Sequence, residues 1–357
     1  MTQQQEAAPV PFPHPSGPLA GYRVLDLADE KGQLCARLLG ELGADVIKVE
    51  GRDGDPTRGN GPFFRGEQGP NTSLYWWAMN AGKRSITCEL RLEQGRQLFH
   101  QLVAKSDIVI ETLMPGASKD FGLDYRTLSA VNPGIILVSI TNFGQTGPYR
   151  NFLATDIVGL AMGGQMYLNG DDEHGPVRPL APQAYAQVNI QAAAGAAIAL
   201  FARGTNGGVG QHVDVSMQEA VANTMDSAQP TWDILGVNNR GPGLRRMRGG
   251  ELGPRYLFEA EDGWIAGLHA AGLVSPKADA IIDWMAETGE AGDLASDMWR
   301  RRLTSGQSLT MDEMRYVEET LGAFCKRRKK EALIVEAQRR GAGWSPVYGP
   351  REVVEAE

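Results

Sequence analysis

The sequence is poor in the residues that build disulfide frameworks and metal centres. Its three cysteines, Cys35, Cys88 and Cys325, are far apart and odd in number, and no CxxC pair occurs. This excludes a disulfide scaffold and a zinc ribbon, and it fits a reducing, cytoplasmic location with each thiol acting as a small buried hydrophobe. The five histidines (His14, His100, His174, His212 and His269) show no ligand spacing, so no metal site is expected. GxSxG and HExxH are both missing, which removes the familiar serine-hydrolase and zinc-protease arrangements. Basic runs are scarce too. KRRKK at 326–330 is the one cluster in a chain of net charge −8, and it reads as a solvated helix face. A nucleic-acid partner needs a concentrated basic face and is not expected.

Long apolar runs are also lacking, and none reaches membrane-spanning length without interruption. The N-terminal MTQQQEAAPVPFPHPSGP has neither the basic nor the apolar region of a signal peptide, and its prolines suggest an extended lead over residues 1–18. What remains is a composition of 42% hydrophobic and 22% charged residues over 357 positions. That is ordinary for a soluble globular protein, and long enough for more than one core.

The order of apolar patterns then sets the fold class. YRVLDLA (22–28) reads as a buried strand, Gly32 to Leu42 as a helix stopped by Gly43, and ADVIKVE (44–50) as a second strand. Strand, helix and strand in such a short stretch form a βαβ unit, which requires parallel strands. The loop-rich Gly51 to Gly82 follows, then a strand at 85–90, a helix at 92–105, the strand DIVIE (107–111), a helix at 125–131 and the strand IILVSIT (135–141). The alternation predicts a doubly wound α/β sheet of Rossmann-like type. Between Tyr185 and Arg203 charge nearly vanishes and Ala and Gly dominate, predicting a buried helix thin enough for another backbone or a ligand to approach. A strand at 212–215 and a helix capped by Ser216 come next.

Beyond Asn223 the pattern changes to a Gly- and Arg-rich stretch at 238–254, two short strands at 255–259 and 263–268, and helices at 276–287, 292–302, 311–327 and 329–339. The expected domains are therefore a large one at 19–225 and a linker with a small α+β domain at 226–340. The segment 341–357 is expected to return toward the large domain.

In a doubly wound sheet ligands bind beyond the carboxyl ends of the strands. The first βα turn, Asp29-Glu30-Lys31-Gly32, carries no GxGxxG and would repel a pyrophosphate, so NAD(P) is not expected. Other strand-end loops are better provided. Arg58 in DPTRG and Lys83–Arg84 in MNAGKRS offer cations, and Thr112 and Leu113 follow a strand where a ligand can stack. The loop TNFGQTGPY puts Asn142, Phe143, Gly144 and Gln145 where glycines let backbone N–H groups come close to a ligand.

Taken together, YRVLDLA, RLLGELGADVIKVE, GDPTR, NAGKRSI, SDIVIET, FGLDY, SITNFGQTGPY and VGQHVDVSMQEAV resemble, in order, the family III CoA-transferases, the family of formyl-CoA transferase, carnitine CoA-transferase and α-methylacyl-CoA racemase. The resemblance runs from about Leu19 to Pro350. It implies a Rossmann-like large domain, a smaller domain and two interlocked subunits, with coenzyme A or acyl-CoA lying along the strand-end loops. Carried over by position, Arg58, Lys83 and Arg84 would meet the nucleotide phosphates, and Asn142 to Gly147 would line the thioester end with Gly144 and Gln145 nearest the carbonyl.

The family's chemistry also needs an aspartate at the start of the Ala/Gly helix, where it forms an acyl anhydride and then carries the CoA. Here Gln183, Ala184 and Tyr185 stand at that place, and no carboxylate lies between Glu173 and Asp214. Two further departures are Thr112-Leu113-Met114 ahead of Pro115-Gly116, and Thr155 where a racemase has the histidine before its aspartate. The resemblance then implies a subunit without its own nucleophile, paired with a homologous chain as in a benzylsuccinate CoA-transferase-like heteromer, acting on an acyl-CoA and a carboxylic acid. The alternatives are a homodimer using another carboxylate, such as the acidic loop Asp171-Asp172-Glu173, and a CoA-ester binding subunit without catalysis. Past WSPVYGPREVV the family pattern runs on for a few dozen residues, which leaves open a chain cut short.

Overall fold

The computed structural model describes residues 16–170, 175–225, 227–239, 241, 243–248, 251–267, 278–304 and 309–355. The acidic loop 171–173 and nearly all of the N-terminal lead lie outside the described residues. The chain divides into two compact units, Met1–Met166 with Arg178–Asp226, and Tyr167–Val177 with Ser227–Glu357.

The first unit is built on six strands: β1 (Arg23–Asp26), β2 (Asp45–Glu50), β3 (Arg84–Thr87), β4 (Ile108–Glu111), β5 (Ile136–Thr141) and β6 (His212–Ser216). All pairings are parallel, in the order β3-β2-β1-β4-β5-β6. The expected doubly wound sheet is therefore present. Central strands such as ILVSIT are apolar on both faces because helices cover both sides of a parallel sheet. Those helices are α1 (Gln33–Glu41), α2 (Leu74–Asn80), α3 (Glu93–Val103), α4 (Tyr125–Val131), α5 (Asp156–Met162), α6 (Gln165–Leu168), α7 (Gln183–Thr205) and α8 (Met217–Ala222).

One core joins Val24, Ile108, Ile110 and Val138 to Cys35 and Leu39 of α1 and to the alanines of α7. The opposite core joins Leu25, Ile47, Val109 and Leu137 to Phe99 and Val103 of α3 and Leu128 of α4. The small residues of α7 serve close packing, since a Cβ on Gly195 would lie 2.9 Å from Val213 Cγ1 on β6. α7 was expected to be a buried helix, and it is buried on one side only. Ile190, Ile198 and Phe201 are 57, 68 and 77% exposed along the other side. By length and composition α7 also suffices to cross a bilayer, but here its alanine side packs against the sheet.

Two stretches read as loop contain regular structure. Within 51–82, α2 forms because Ser73 Oγ accepts the Trp76 N–H at 3.0 Å, a cap masked in the sequence by surrounding Gly and Pro. Within 238–254, β7 (Arg245–Arg248) and β8 (Glu251–Arg255) pair antiparallel. The second unit also holds β9 (Leu257–Ala260), β10 (Gly263–Gly267) and β11 (Trp344–Val347), with α9 (Ala228–Leu235), α10 (Ala278–Glu287), α11 (Asp297–Thr304), α12 (Met311–Lys326), α13 (Lys330–Arg339) and α14 (Pro350–Glu355). Residues 341–355 are grouped with the second unit. β11 pairs with β10, and fully buried Trp344 joins the core of Phe258, Trp284 and Phe324.

Candidate active site

The strand order reverses between β1 and β4, so their outgoing loops diverge and leave a crevice at the carboxyl end of the sheet. The two loops meet where the Asp29 N–H donates to Thr112 Oγ1 at 2.9 Å. Over β1 to β4 lies a cavity of about 350 Å³ whose lining includes Asp29, Glu50, Asp55, Glu89, Arg91, Leu113 and Phe121. Over β5 and β6 lies a second, of about 280 Å³, lined by Phe143, Gly144, Thr146, Gly147, Asp214, Ser216 and Glu219 among others. Leu113 thus belongs to one cavity and Phe143 and Gly144 to the other.

Beneath the first cavity runs a buried ionic lattice. Asp26 and Lys48 are opposite each other in the register of β1 and β2, which is why two charges interrupt otherwise apolar strands. Lys83 Nζ lies 2.7 Å from Asp26 Oδ2 and also donates to the Gln33 carbonyl at 2.7 Å and to Asn80 Oδ1 at 2.8 Å. Lys48 Nζ lies 3.1 Å from Asp55 Oδ2 and donates to the Ala28 carbonyl. Burial pushes the Lys83 ammonium below its ordinary range, with Asp26 opposing that shift.

The cations expected at phosphates are therefore engaged elsewhere. The Lys83 side chain is 2% exposed and saturated by three acceptors. Arg58 grips Glu50 through Nε and Nη2, both at 2.7 Å, reaches Pro70 O and Asn71 Oδ1 through Nη1, and stacks 4.0 Å from the Trp76 ring centre. Burial acts to raise the Glu50 carboxyl, but Arg58, the Ser85 hydroxyl and the Asp55 N–H outweigh it and hold it at about 2. Arg84 opens β3 and pairs with Asp45 at the start of β2, so it sits at the amino edge of the sheet, away from the strand-end loops. A phosphate would have to displace established partners at Arg58 and Lys83, and Arg84 faces the wrong edge.

The remaining loop residues do gather at the carboxyl edge. Thr112, Asn142 and Phe143 are buried, and Asn142 ties the loop down by donating to the Phe152 carbonyl at 3.2 Å. Gly144 has φ +82°, a value that favours glycine, and lets the loop turn so that the Gln145 N–H meets Asp214 Oδ2 at 2.9 Å. That N–H is consequently occupied.

Sequence reading passed over two groups here. Glu111 ends β4 nearly fully buried, where burial raises its carboxyl while the Ser139 hydroxyl and the Leu113 N–H, at 2.6 Å, oppose that shift. Asn189 on α7 clamps the first loop, accepting the Cys35 N–H at 2.6 Å and donating to the Lys31 carbonyl at 2.7 Å. An acid inside a strand and an amide inside an alanine helix were the available signals.

The residues at the start of α7 are held as follows. Gln183 donates to the Leu180 carbonyl, Ala184 is buried, and the Tyr185 N–H donates to Asp156 Oδ1 at 3.1 Å. No side chain of this first turn is a carboxylate. Among the described residues no group of three or more His, Cys, Asp or Glu side chains is arranged to hold a metal ion.

Comparison with known proteins agrees with this architecture. The succinyl-CoA:(R)-benzylsuccinate CoA-transferase subunit BbsE of Thauera aromatica is 38% identical over 268 residues, 75% of this chain and 64% of that protein. The succinyl-CoA–L-malate CoA-transferase alpha subunit of Chloroflexus aurantiacus is 34% identical over 284 residues, 78% of this chain and 63% of that one. The match thus spans a little under two thirds of each relative's length. A CAIB/BAIF family protein from Brucella suis superposes with a TM-score of 0.76 at 28% identity, covering 95% of this chain and 86% of the other. The family model for CoA-transferase family III matches residues 19–357, and with the sheet order and strand-end loops above it, this chain belongs to that family.

Proposed function

We propose that this chain takes part in transferring CoA between an acyl-CoA donor and a carboxylic acid acceptor, as a subunit that lacks the family's usual aspartate and works with a homologous chain supplying it. The observation that supports the reading is the first turn of α7, which begins with Gln183, Ala184 and Tyr185 and carries no carboxylate. Neither an amide nor a phenol readily forms the acyl anhydride that the exchange requires. Two relatives bear names of CoA-transferase subunits, which supports an assembly of more than one chain. The exposed apolar side of α7 supports a second chain docking on the first, with the interlocked dimer as the arrangement we propose.

In this reading CoA lies across the strand-end loops. Thr112 and Leu113 flank its path, and Asn142, Phe143, Gly144 and Gln145 line the thioester end. Arg58 and Lys83 act through the crevice floor they brace, and Arg84 through the edge it pairs. The reaction needs neither a metal nor NAD, and a cytoplasmic location fits its substrates. Isolation from the native host tests the assembly. A homologous second chain should co-purify, and the pair should exchange CoA between succinyl-CoA and a carboxylic acid. A lone homodimer that performs the exchange overturns the partner-dependent reading. Binding of CoA esters without exchange by the complete assembly leaves a binding subunit instead.

A further inference from the structure

Two carboxylates stand in one row of the sheet at its carboxyl end. In the register of the parallel strands Glu111 on β4 is opposite Ser139 on β5, and Ser139 is opposite Asp214 on β6. Paired residues of neighbouring strands share a face, so the acids lie on the same side of the sheet, two strand spacings or about 10 Å apart. Ser139 is held in the middle of the row, its Oγ 2.9 Å from His212 Nε2.

Each acid binds a backbone N–H of an outgoing loop. Glu111 accepts the Leu113 N–H through Oε2 at 2.6 Å, in the loop that leaves β4. Asp214 accepts the Gln145 N–H through Oδ2 at 2.9 Å, in the loop that leaves β5 and turns at Gly144. The first loop lends Leu113 to the cavity over β1 to β4, and the second lends Phe143 and Gly144 to the cavity over β5 and β6. Glu111 is 1% exposed. A carboxylate buried at a strand end costs desolvation that an apolar residue would not, and its hydrogen bond to the loop offsets that cost.

We infer that Glu111 and Asp214 are positioning residues for the CoA ester, their shared row fixing the Leu113 loop and the Gln145 loop at one spacing across β5. The inference rests on the CoA-transfer reading and goes beyond it by giving the two acids separate effects. Leu113 flanks the CoA path, so losing the Glu111 acceptor loosens the hold on CoA. Gln145 lies at the thioester end, so losing the Asp214 acceptor disturbs the reacting carbonyl and leaves the rest of CoA in place. Both acids act through a backbone N–H, and an amide oxygen at either position therefore serves in the carboxylate's stead.

The test measures KM and kcat for succinyl-CoA with the chain and any homologous chain that co-purifies. Glu111→Ala should raise KM about tenfold with kcat little changed, and Asp214→Ala should lower kcat about tenfold with KM little changed, each the worth of one hydrogen bond. Glu111→Gln and Asp214→Asn should restore the unaltered values. If Glu111→Ala does not fold, Glu111→Leu replaces it, filling the buried volume without an acceptor. Equal losses of kcat at unchanged KM in both alanine variants would mark a merely structural role and overturn the inference. So would an Asp214→Asn or Glu111→Gln as impaired as its alanine counterpart, because the charge and not the loop would then matter. In each of these cases exchange by the unaltered assembly keeps the CoA-transfer reading standing. No exchange by the unaltered assembly overturns that reading and the inference with it.

Discussion

Asn189 reaches across from α7 to the first strand-end loop and donates to the Lys31 carbonyl at 2.7 Å, while its own oxygen accepts the Cys35 N–H at 2.6 Å. One buried amide thus fixes the loop bearing Asp29, Glu30 and Lys31 to the helix that begins at Gln183. Asn189→Ala leaves the Cys35 N–H with only the Gly32 carbonyl at 3.1 Å and removes the donor to the part-buried Lys31 carbonyl, a loss of about 1–3 kcal/mol. The urea midpoint should fall with the m-value unchanged. Asn189→Asp should be at least as harmful, because it keeps the acceptor for Cys35, loses both donations and buries a charge. A wild-type midpoint in either variant would contradict the clamp.

Lys83 makes a sharper test, because its sequence position suggests a phosphate ligand and its geometry does not. With Nζ 2.7 Å from Asp26 and 2% exposure, Lys83→Met leaves Asp26 buried beside Lys48 at 3.7 Å alone. Breaking one partner of a buried pair costs about 3–5 kcal/mol. The loss should appear in the melting temperature, and Asp26→Asn combined with Lys83→Met should cost less than the sum of the two. A variant that melts normally but binds CoA weakly would restore Lys83 as a ligand.

The same pair shows where sequence reading reaches and where it stops. Strand positions followed from apolar runs, and the parallel order followed from strands alternating with helices. The charges inside RVLD and DVIKVE were visible as well, but their pairing depends on the register Asp26↔Lys48, which is a property of the assembled sheet. Loop cations carried no mark separating a free guanidinium from one held by Glu50, so Arg58 read as a clamp. The reading of Gln183–Tyr185 as the place of a family acid rests on the family pattern and not on the geometry. The contact of Asn189 with the Lys31 carbonyl needed the fold, since 158 residues separate them in the chain.

Gly32 lies where the loops after β1 and β4 come closest. A Cβ there would meet Ala28 Cβ and Thr112 Cγ2, both at 2.7 Å, with Ile140 Cδ1 at 3.1 Å. Gly32→Ala must push the Thr112 loop away from Asp29, since a β-branched side chain has little rotamer freedom with which to yield. Stability should drop by about 1–3 kcal/mol, the usual cost of overpacking. Thr112→Ser in the same chain should recover part of it, because it removes the methyl and keeps the hydroxyl that accepts the Asp29 N–H. No recovery would locate the clash at Ala28 instead.

Glu50 supplies a pH signature. Its folded-state carboxyl is held at about 2, below the unfolded reference, because Arg58, Ser85 and the Asp55 N–H outweigh burial. A depressed carboxyl binds fewer protons in the folded state than in the unfolded one, so stability falls as pH falls. The contribution is whole above the unfolded value near pH 4.5 and is lost as pH drops toward about 2. Glu50→Gln removes this titration and also strips Arg58 of the charge that pairs with both Nε and Nη2. Urea unfolding of the two proteins from neutral pH down through this window should give curves separated by a constant gap above about pH 5, converging as the wild-type carboxyl loses its charge advantage. Parallel curves across the whole acid range would show that the Glu50–Arg58 pair does not titrate in the folded chain as its geometry demands.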